Sequence, residues 1–140
     1  MFIGEYSHTI DEKSRLAIPI KFRPELAGGA VVTKGLDGCL FLYTIVEWQK
    51  WVEKINTMPV TQKTARAFSR MMLGGAMDVE VDKQGRIILP KYLVEYAGLS
   101  HNVIVAGLFN RLEIWDQKAW QEYKAATEKE SEALAEQLFI

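Results

Sequence analysis

One pattern occurs twice in this chain of 140 residues, and it limits the possible folds more than any other feature. Residues 8–22 and 79–93 align without a gap. Asp11/Asp82, Arg15/Arg86 and Pro19/Pro90 are identical, and Ile10/Val81, Leu16/Ile87, Ile18/Leu89 and Phe22/Leu93 match in apolar character. The register continues through a glycine stop (Gly28-Gly29; Gly98), a β-rich run (Ala30-Val31-Val32; Val103-Ile104-Val105) and a turn (Leu36-Asp37-Gly38; Phe109-Asn110-Arg111). A further apolar strand and a tryptophan-bearing segment (Trp48; Trp120) close each copy. Each unit spans about 40–45 residues, too few to bury a stable core alone without disulfides or metal. The two halves are therefore predicted to pack into one shared β core, a pseudo-symmetric dimer within one chain.

Local chemistry sets the elements. Residues 5–10 and 15–18 read as strands around a tight turn at Asp11–Ser14, and 77–82 and 86–89 as strands around Asp82–Gly85. Pro19 and Pro90 end these strands, because proline cannot donate to a ladder. A short helix follows each, delayed in the first copy because Pro24 restricts Arg23. Hairpins are predicted for 30–34 with 39–43 and for 102–106 with 111–115. Thr44-Ile45-Val46-Glu47 is a capping box. It opens a helix whose Trp48, Trp51, Val52 and Ile55 form an apolar stripe, and Pro59 ends it. A second helix, about 61–73, carries Arg66 and Arg70 one turn apart and stops at Gly74-Gly75. A third starts from Asp116 as N-cap and runs to the C-terminus. The fold class is mainly β with helices (α+β): a first module at 5–47, a helical linker at 48–75, a second module at 76–119 and a C-terminal helix at 120–140.

Composition narrows the function classes. Apolar residues make up 49% and charged residues 25%, the mix of a soluble globular protein. No apolar run approaches the roughly 20 residues that span a bilayer, and the first residues show no secretion signal, so a cytosolic protein is expected. Cys39 is the only cysteine, and with His8 and His101 it makes no metal-ligand pattern. No phosphate-binding loop, dinucleotide fingerprint or catalytic dyad is present, so neither cofactor nor small-molecule substrate is expected. Net charge is −1, which gives the whole chain no basic footprint. Charge is instead concentrated locally. Residues 11–23 carry four basic groups against two acidic ones, and residues 82–91 three against one.

The pattern Phe2-x-Gly4…Asp11-x-x-x-Arg15-x-x-x-Pro19-x-x-x-Arg23, with its second copy Asp82-x-x-x-Arg86-x-x-x-Pro90, resembles the MraZ family of the AbrB/MazE/SpoVT swapped-hairpin superfamily. The resemblance covers about residues 1–123. It implies two tandem swapped-hairpin modules forming a pseudo-symmetric shared β-barrel, and a ring-like homo-oligomer. It also implies a nucleoid-associated regulator that binds double-stranded DNA sequence-specifically. Its targets would be repeated sites upstream of its own operon, the division and cell-wall gene cluster. One departure is visible: Ser14 stands where the second turn has Gly85 and where glycine is usual. If that position needs positive φ, serine is less comfortable there.

Arg15 and Arg86 are the leading DNA-binding candidates. A guanidinium can donate two parallel hydrogen bonds to guanine or clamp a phosphate, and a tight turn would hold it rigidly. The plainer reading is an Asp–Arg pair that pins each turn, and the two roles can coexist. Lys13, Lys83, Lys21, Arg23 and Lys91 surround the same turns and read as phosphate contacts. Arg66 and Arg70 suit a subunit interface or solvent at least as well as phosphate. Trp48, Trp51, Trp115 and Trp120 read as core. The competing functions are an antitoxin-like regulator that binds a protein toxin, a protein-interaction module and, least supported, an enzyme.

Overall fold

The computed structural model describes residues 1–139. Ile140, the last residue of the expected C-terminal helix, lies outside the described residues. Eight strands are present: β1 (Phe2–Thr9), β2 (Arg15–Ala17), β3 (Ala30–Lys34), β4 (Leu40–Thr44), β5 (Met77–Val79), β6 (Arg86–Ile88), β7 (Asn102–Phe109) and β8 (Leu112–Asp116). Among the described residues six helices accompany them: α1 (Arg23–Leu26), α2 (Ile45–Asn56), α3 (Lys63–Gly74), α4 (Lys91–Tyr96), α5 (Gln117–Lys129) and α6 (Ser131–Gln137). A single 3-10 turn, Ile20–Phe22, precedes α1, so Pro24 sits within the first turn of the delayed helix, where its missing N–H costs nothing. Six strands form one antiparallel sheet in the order β1-β7-β8-β4-β3-β5, while β2 and β6 form a separate ribbon. Among the described residues no helix is long and apolar enough to cross a membrane.

The hairpins β3/β4 and β7/β8 form as expected. The two Asp–Arg turns also form, but their flanking strands do not pair with each other as local hairpins. The segment 5–10 belongs to β1, which pairs along its whole length with β7, from Phe2↔Phe109 to Thr9↔Asn102. β5 pairs with β3. β2 pairs with β6 in the register Arg15↔Ile88, Leu16↔Ile87, Ala17↔Arg86. Of the first expected hairpin only one bridge remains, Ile10↔Leu16. The halves have therefore exchanged partners, as the family resemblance implied and the local reading did not. The reason is burial. Leu16 and Ile87 meet at the pseudo-two-fold and are fully buried, and neither strand alone is long enough to cover the other's apolar side.

The sheet separates two apolar layers. Along β4, Leu40 and Leu42 face the main core, and Phe41 and Tyr43 face the helices, which is the two-residue period of a strand. The main core takes Leu16, Ile18 and Phe22 from the first repeat and Ile87, Leu89 and Leu93 from the second. The opposite layer holds Ile55 of α2, Met72 of α3 and Trp115, with Trp48, Trp51 and Trp120 partly buried against it, so all four tryptophans serve packing. The Glu47 N–H donates to Thr44 Oγ1 at 3.2 Å and starts α2. The Ala119 N–H donates to Asp116 Oδ2 at 3.3 Å and starts α5. The expected single C-terminal helix is instead broken. Glu130 leaves helical geometry (φ −107°, ψ 11°), and α6 continues beyond it with no buried residue.

Because each half completes the other's sheet and core, the repeats should unfold together. Tryptophan fluorescence reports the helical layer and far-UV circular dichroism the whole backbone. Their urea transitions should coincide. Leu16→Ala should lower the stability of both by about 2–5 kcal/mol. Two separated transitions would show that the halves are independent.

Candidate nucleic-acid interface

Each Asp–Arg turn is built by the aspartate. Asp11 Oδ1 accepts from the N–H groups of Lys13 and Arg15, both at 2.9 Å, and Oδ2 accepts from Arg15 Nε at 2.6 Å. In the second copy Asp82 Oδ1 accepts from the N–H groups of Gln84 (2.8 Å) and Arg86 (2.9 Å), and Oδ2 from Arg86 Nε at 3.3 Å. The backbone closes the same loops, through Ser14 N to Asp11 O and Gly85 N to Asp82 O, both at 3.0 Å. These donors, first the arginine backbone N–H, hold both carboxyls below the usual carboxylate range.

The ribbon brings the two turns together. The Ile18 N–H donates to Gly85 O and the Leu89 N–H to Ser14 O, both at 2.8 Å, so each strand end is locked to the opposite turn. Leu16 and Ile87 point into the core, so strand alternation places Arg15, Ala17, Arg86 and Ile88 together on the outer side. The arginines are diagonal neighbours across the ribbon, a spacing of roughly 7–8 Å between Cα atoms. Each spends Nε on its aspartate. No acceptor among the described residues is bonded to Nη1 or Nη2 of either. Both arginines remain about 30% exposed, at 31% and 30%. The turn thus fixes the base of each guanidinium and leaves its outer fork unoccupied.

The other candidates divide. Lys13 and Lys83 are exposed at the two turn tips. They are not equivalent positions, because Gln84 stands where the first turn has Lys13. Lys21 is exposed in the 3-10 turn after β2, and Lys91 is exposed at the start of α4. None of these four lysines makes an ion pair among the described residues. Arg23 sits differently. Its Nε donates to Ile18 O at 2.8 Å, and its guanidinium lies where a Cβ on Gly85 would have to go. It also approaches His8, whose imidazole is pushed below its ordinary pKa by burial and then by Arg23. Arg23 of the first repeat therefore braces the second repeat's turn, and the equivalent residue in the second repeat is Val94. Ala17 and Ile88 share the arginine face but were missed. Strand alternation from Arg15 and Arg86 was the signal that could have found them. Asp78 and Glu80 line a hollow beside Ile88, so that edge of the ribbon carries negative charge.

The family model described as "MraZ protein, putative antitoxin-like" matches residues 1–71 and again 72–139. The chain belongs to the MraZ family. It is 50% identical over 138 residues to a protein of Caldanaerobacter subterraneus subsp. tengcongensis named "Transcriptional regulator MraZ", covering 99% of this chain and 96% of that one. Proteins of the same name from Thermoanaerobacter sp. and Thermoanaerobacter pseudethanolicus are 49% identical over the same 138 residues, with the same coverage.

Within this family member the two turns differ physically. Ser14 and Gly85 both have positive φ, 60° and 79°. A left-handed serine costs roughly 1–2 kcal/mol, partly offset in a glycine variant by about 0.5–1 kcal/mol of extra chain entropy. Ser14→Gly should therefore stabilise by about 0.5–1 kcal/mol. Gly85→Ser should cost more than that gain, because it adds strain and displaces Arg23. In an Arg23→Val background the loss should shrink, and a double-mutant cycle in urea measures this coupling.

The aspartates give a pH dependence of definite sign. Their folded pKa values lie below the ordinary 3.8. Their stabilising contribution is whole above that value and is lost as pH falls through the folded values. The fall in melting temperature below about pH 4 should be shallower in Asp11→Asn/Asp82→Asn than in the parent. An unchanged acid limb would show that these carboxyls carry no acid-sensitive stability.

Proposed function

We propose that this chain is a transcriptional regulator that binds double-stranded DNA through the β2–β6 ribbon. The observation that carries this reading is the pair of guanidinium forks, held by their aspartates through Nε and open at Nη1 and Nη2, side by side on one rigid face. An open fork suits O6 and N7 of guanine or a phosphate. The name carried by the relatives supports the regulatory role. Lys13, Lys83, Lys21 and Lys91 serve as phosphate contacts. Arg23 contributes by bracing the second turn.

A chain of net charge −1 with one small basic face binds weakly at physiological salt. Linking several such faces raises apparent affinity by roughly 10²–10⁴. The proposal therefore includes a ring-like homo-oligomer on repeated sites upstream of its own operon, the division and cell-wall cluster. It places the protein in the cytoplasm at the nucleoid, without cofactor or catalysis.

On a duplex carrying one upstream site, Arg15→Ala and Arg86→Ala should each weaken specific binding by about 1–3 kcal/mol. Their effects should be unequal, because Arg15 faces Ile88 whereas Arg86 faces Ala17. Lys13→Ala should weaken all sequences alike and flatten the salt dependence by about one phosphate contact. Fluorescence anisotropy across a salt series reads both. If both arginine variants fold, assemble and bind like the parent, the arginines are turn architecture only and the site is elsewhere.

A further inference from the structure

The α2–α3 layer carries a surface that the DNA reading does not use. Ile55, Met58, Val60 and Ala65 line an apolar groove of about 270 Å³ between these helices, with Arg66 and Arg70 on its rim. The groove continues past Met58 and Ala65 to Pro59 and Phe68. Val60 is 76% exposed in it. Lys63, Arg66 and Arg70 recur at helical spacing along one side of α3, and residues 63–74 contain no acid. Lys63 and Arg70 make no ion pair among the described residues, while Arg66 Nη1 holds the carbonyls of Val60 and Thr61 at 3.1 and 3.2 Å.

The last segment of the chain has the opposite properties. Residues 128–139 contain four glutamates and one lysine, a net charge of −3. Glu130 precedes α6, Leu134 lies within it and Leu138 follows it, and the Leu134 N–H donates to Glu130 O and the Leu138 N–H to Leu134 O, which stacks the three along one side. The leucines are 39% and 68% exposed, and no residue of α6 is buried. Among the described residues, an acidic, leucine-bearing helix with no buried residue therefore exists in the same molecule as a basic-rimmed apolar groove.

We propose that α6 of a second copy of this chain docks in the α2–α3 groove. Leu134 and Leu138 enter between Met58, Val60 and Ala65, and Glu130 and Glu132 lie toward Lys63, Arg66 and Arg70. Two observations favour this over nucleic acid. The groove floor is apolar, which suits leucine and not phosphate. The groove also lies on the helical side of the sheet with Met72 and Tyr43, whereas the Arg15/Arg86 ribbon closes the opposite side with Leu16 and Ile87. A duplex on the ribbon and a helix in the groove occupy different faces. Groove and helix are different surfaces, so the contact is head-to-tail, the type that generates rings when the rotation closes. The proposal rests on the oligomer reading above and names the contact that would build it.

The test is charge reversal read by light scattering at micromolar concentration without DNA. Lys63→Glu/Arg70→Glu leaves Arg66 and its carbonyl contacts in place, and Glu130→Lys/Glu132→Lys reverses the tail. Each variant alone should fall to the mass of one chain, 15.9 kDa, with the far-UV spectrum of the parent. Mixed in equal amounts, they should reassemble, because each acidic groove then meets a basic tail and each basic groove an acidic one. Leu134→Ser/Leu138→Ser should also yield single chains, and no mixture should rescue them. If both reversal variants keep the parent's mass, the groove assignment is overturned while the oligomer reading stands. If the groove variant keeps its mass but loses DNA affinity and salt slope, the basic side of α3 is a phosphate surface and the proposal fails. A parent chain that is itself monomeric overturns both.

Discussion

The pairing of β2 with β6 is the contact on which the rest depends. These strands have only three residues each, and neither is long enough to persist without the other. Their pairing buries Leu16 and Ile87 completely and places the two Asp–Arg turns on one surface. It also explains why the halves cannot be separate globules. β1 of the first repeat needs β7 of the second, and β5 of the second needs β3 of the first. The internal repeat thus works as a dimer interface whose two partners are covalently linked. The ribbon is its two-fold centre, and both arginines flank that centre.

The pseudo-symmetry is broken at the two Asp–Arg turns. Gly85 accepts the Arg23 guanidinium against its backbone, and Ser14 at the matching turn faces a repeat that has Val94 instead. A β-carbon is tolerated at one turn and excluded at the other for this reason, independently of φ. The arginine opposite Ile88 and the arginine opposite Ala17 therefore sit in different surroundings although their aspartate contacts match. Under the proposed DNA reading, the two arginines would meet a duplex in unequal surroundings.

Much of this was legible in the sequence. The gapless repeat gave the shared core, Thr44 and Asp116 marked two helix starts, and the spacing of Trp48, Trp51 and Ile55 marked a buried helix face. Asp11 and Arg15 at four-residue spacing gave the turn and its pinning pair. What local reasoning missed lies in long-range partners. The period-two pattern identifies β1 and β2 as strands but not their neighbours, and adjacency in sequence suggested hairpins that burial overrode. Arg23 reads in sequence as one more phosphate contact, because its contact at Gly85 is supplied by the other repeat. The break at Glu130 has no glycine or proline to announce it.

In the proposed complex Asp11 and Asp82 keep their hold on the arginines through Nε while the Nη forks meet DNA. Arginine side-chain NMR on the intact protein, with and without a duplex carrying the upstream site, follows both groups separately. The Nε–H signals of Arg15 and Arg86 should be protected from exchange in the free protein and stay so in the complex. Their Nη groups should shift and become protected only when DNA is added. Nη groups indifferent to a bound duplex, or an Nε that leaves its aspartate to make the contact, would show that the forks are not the DNA contact.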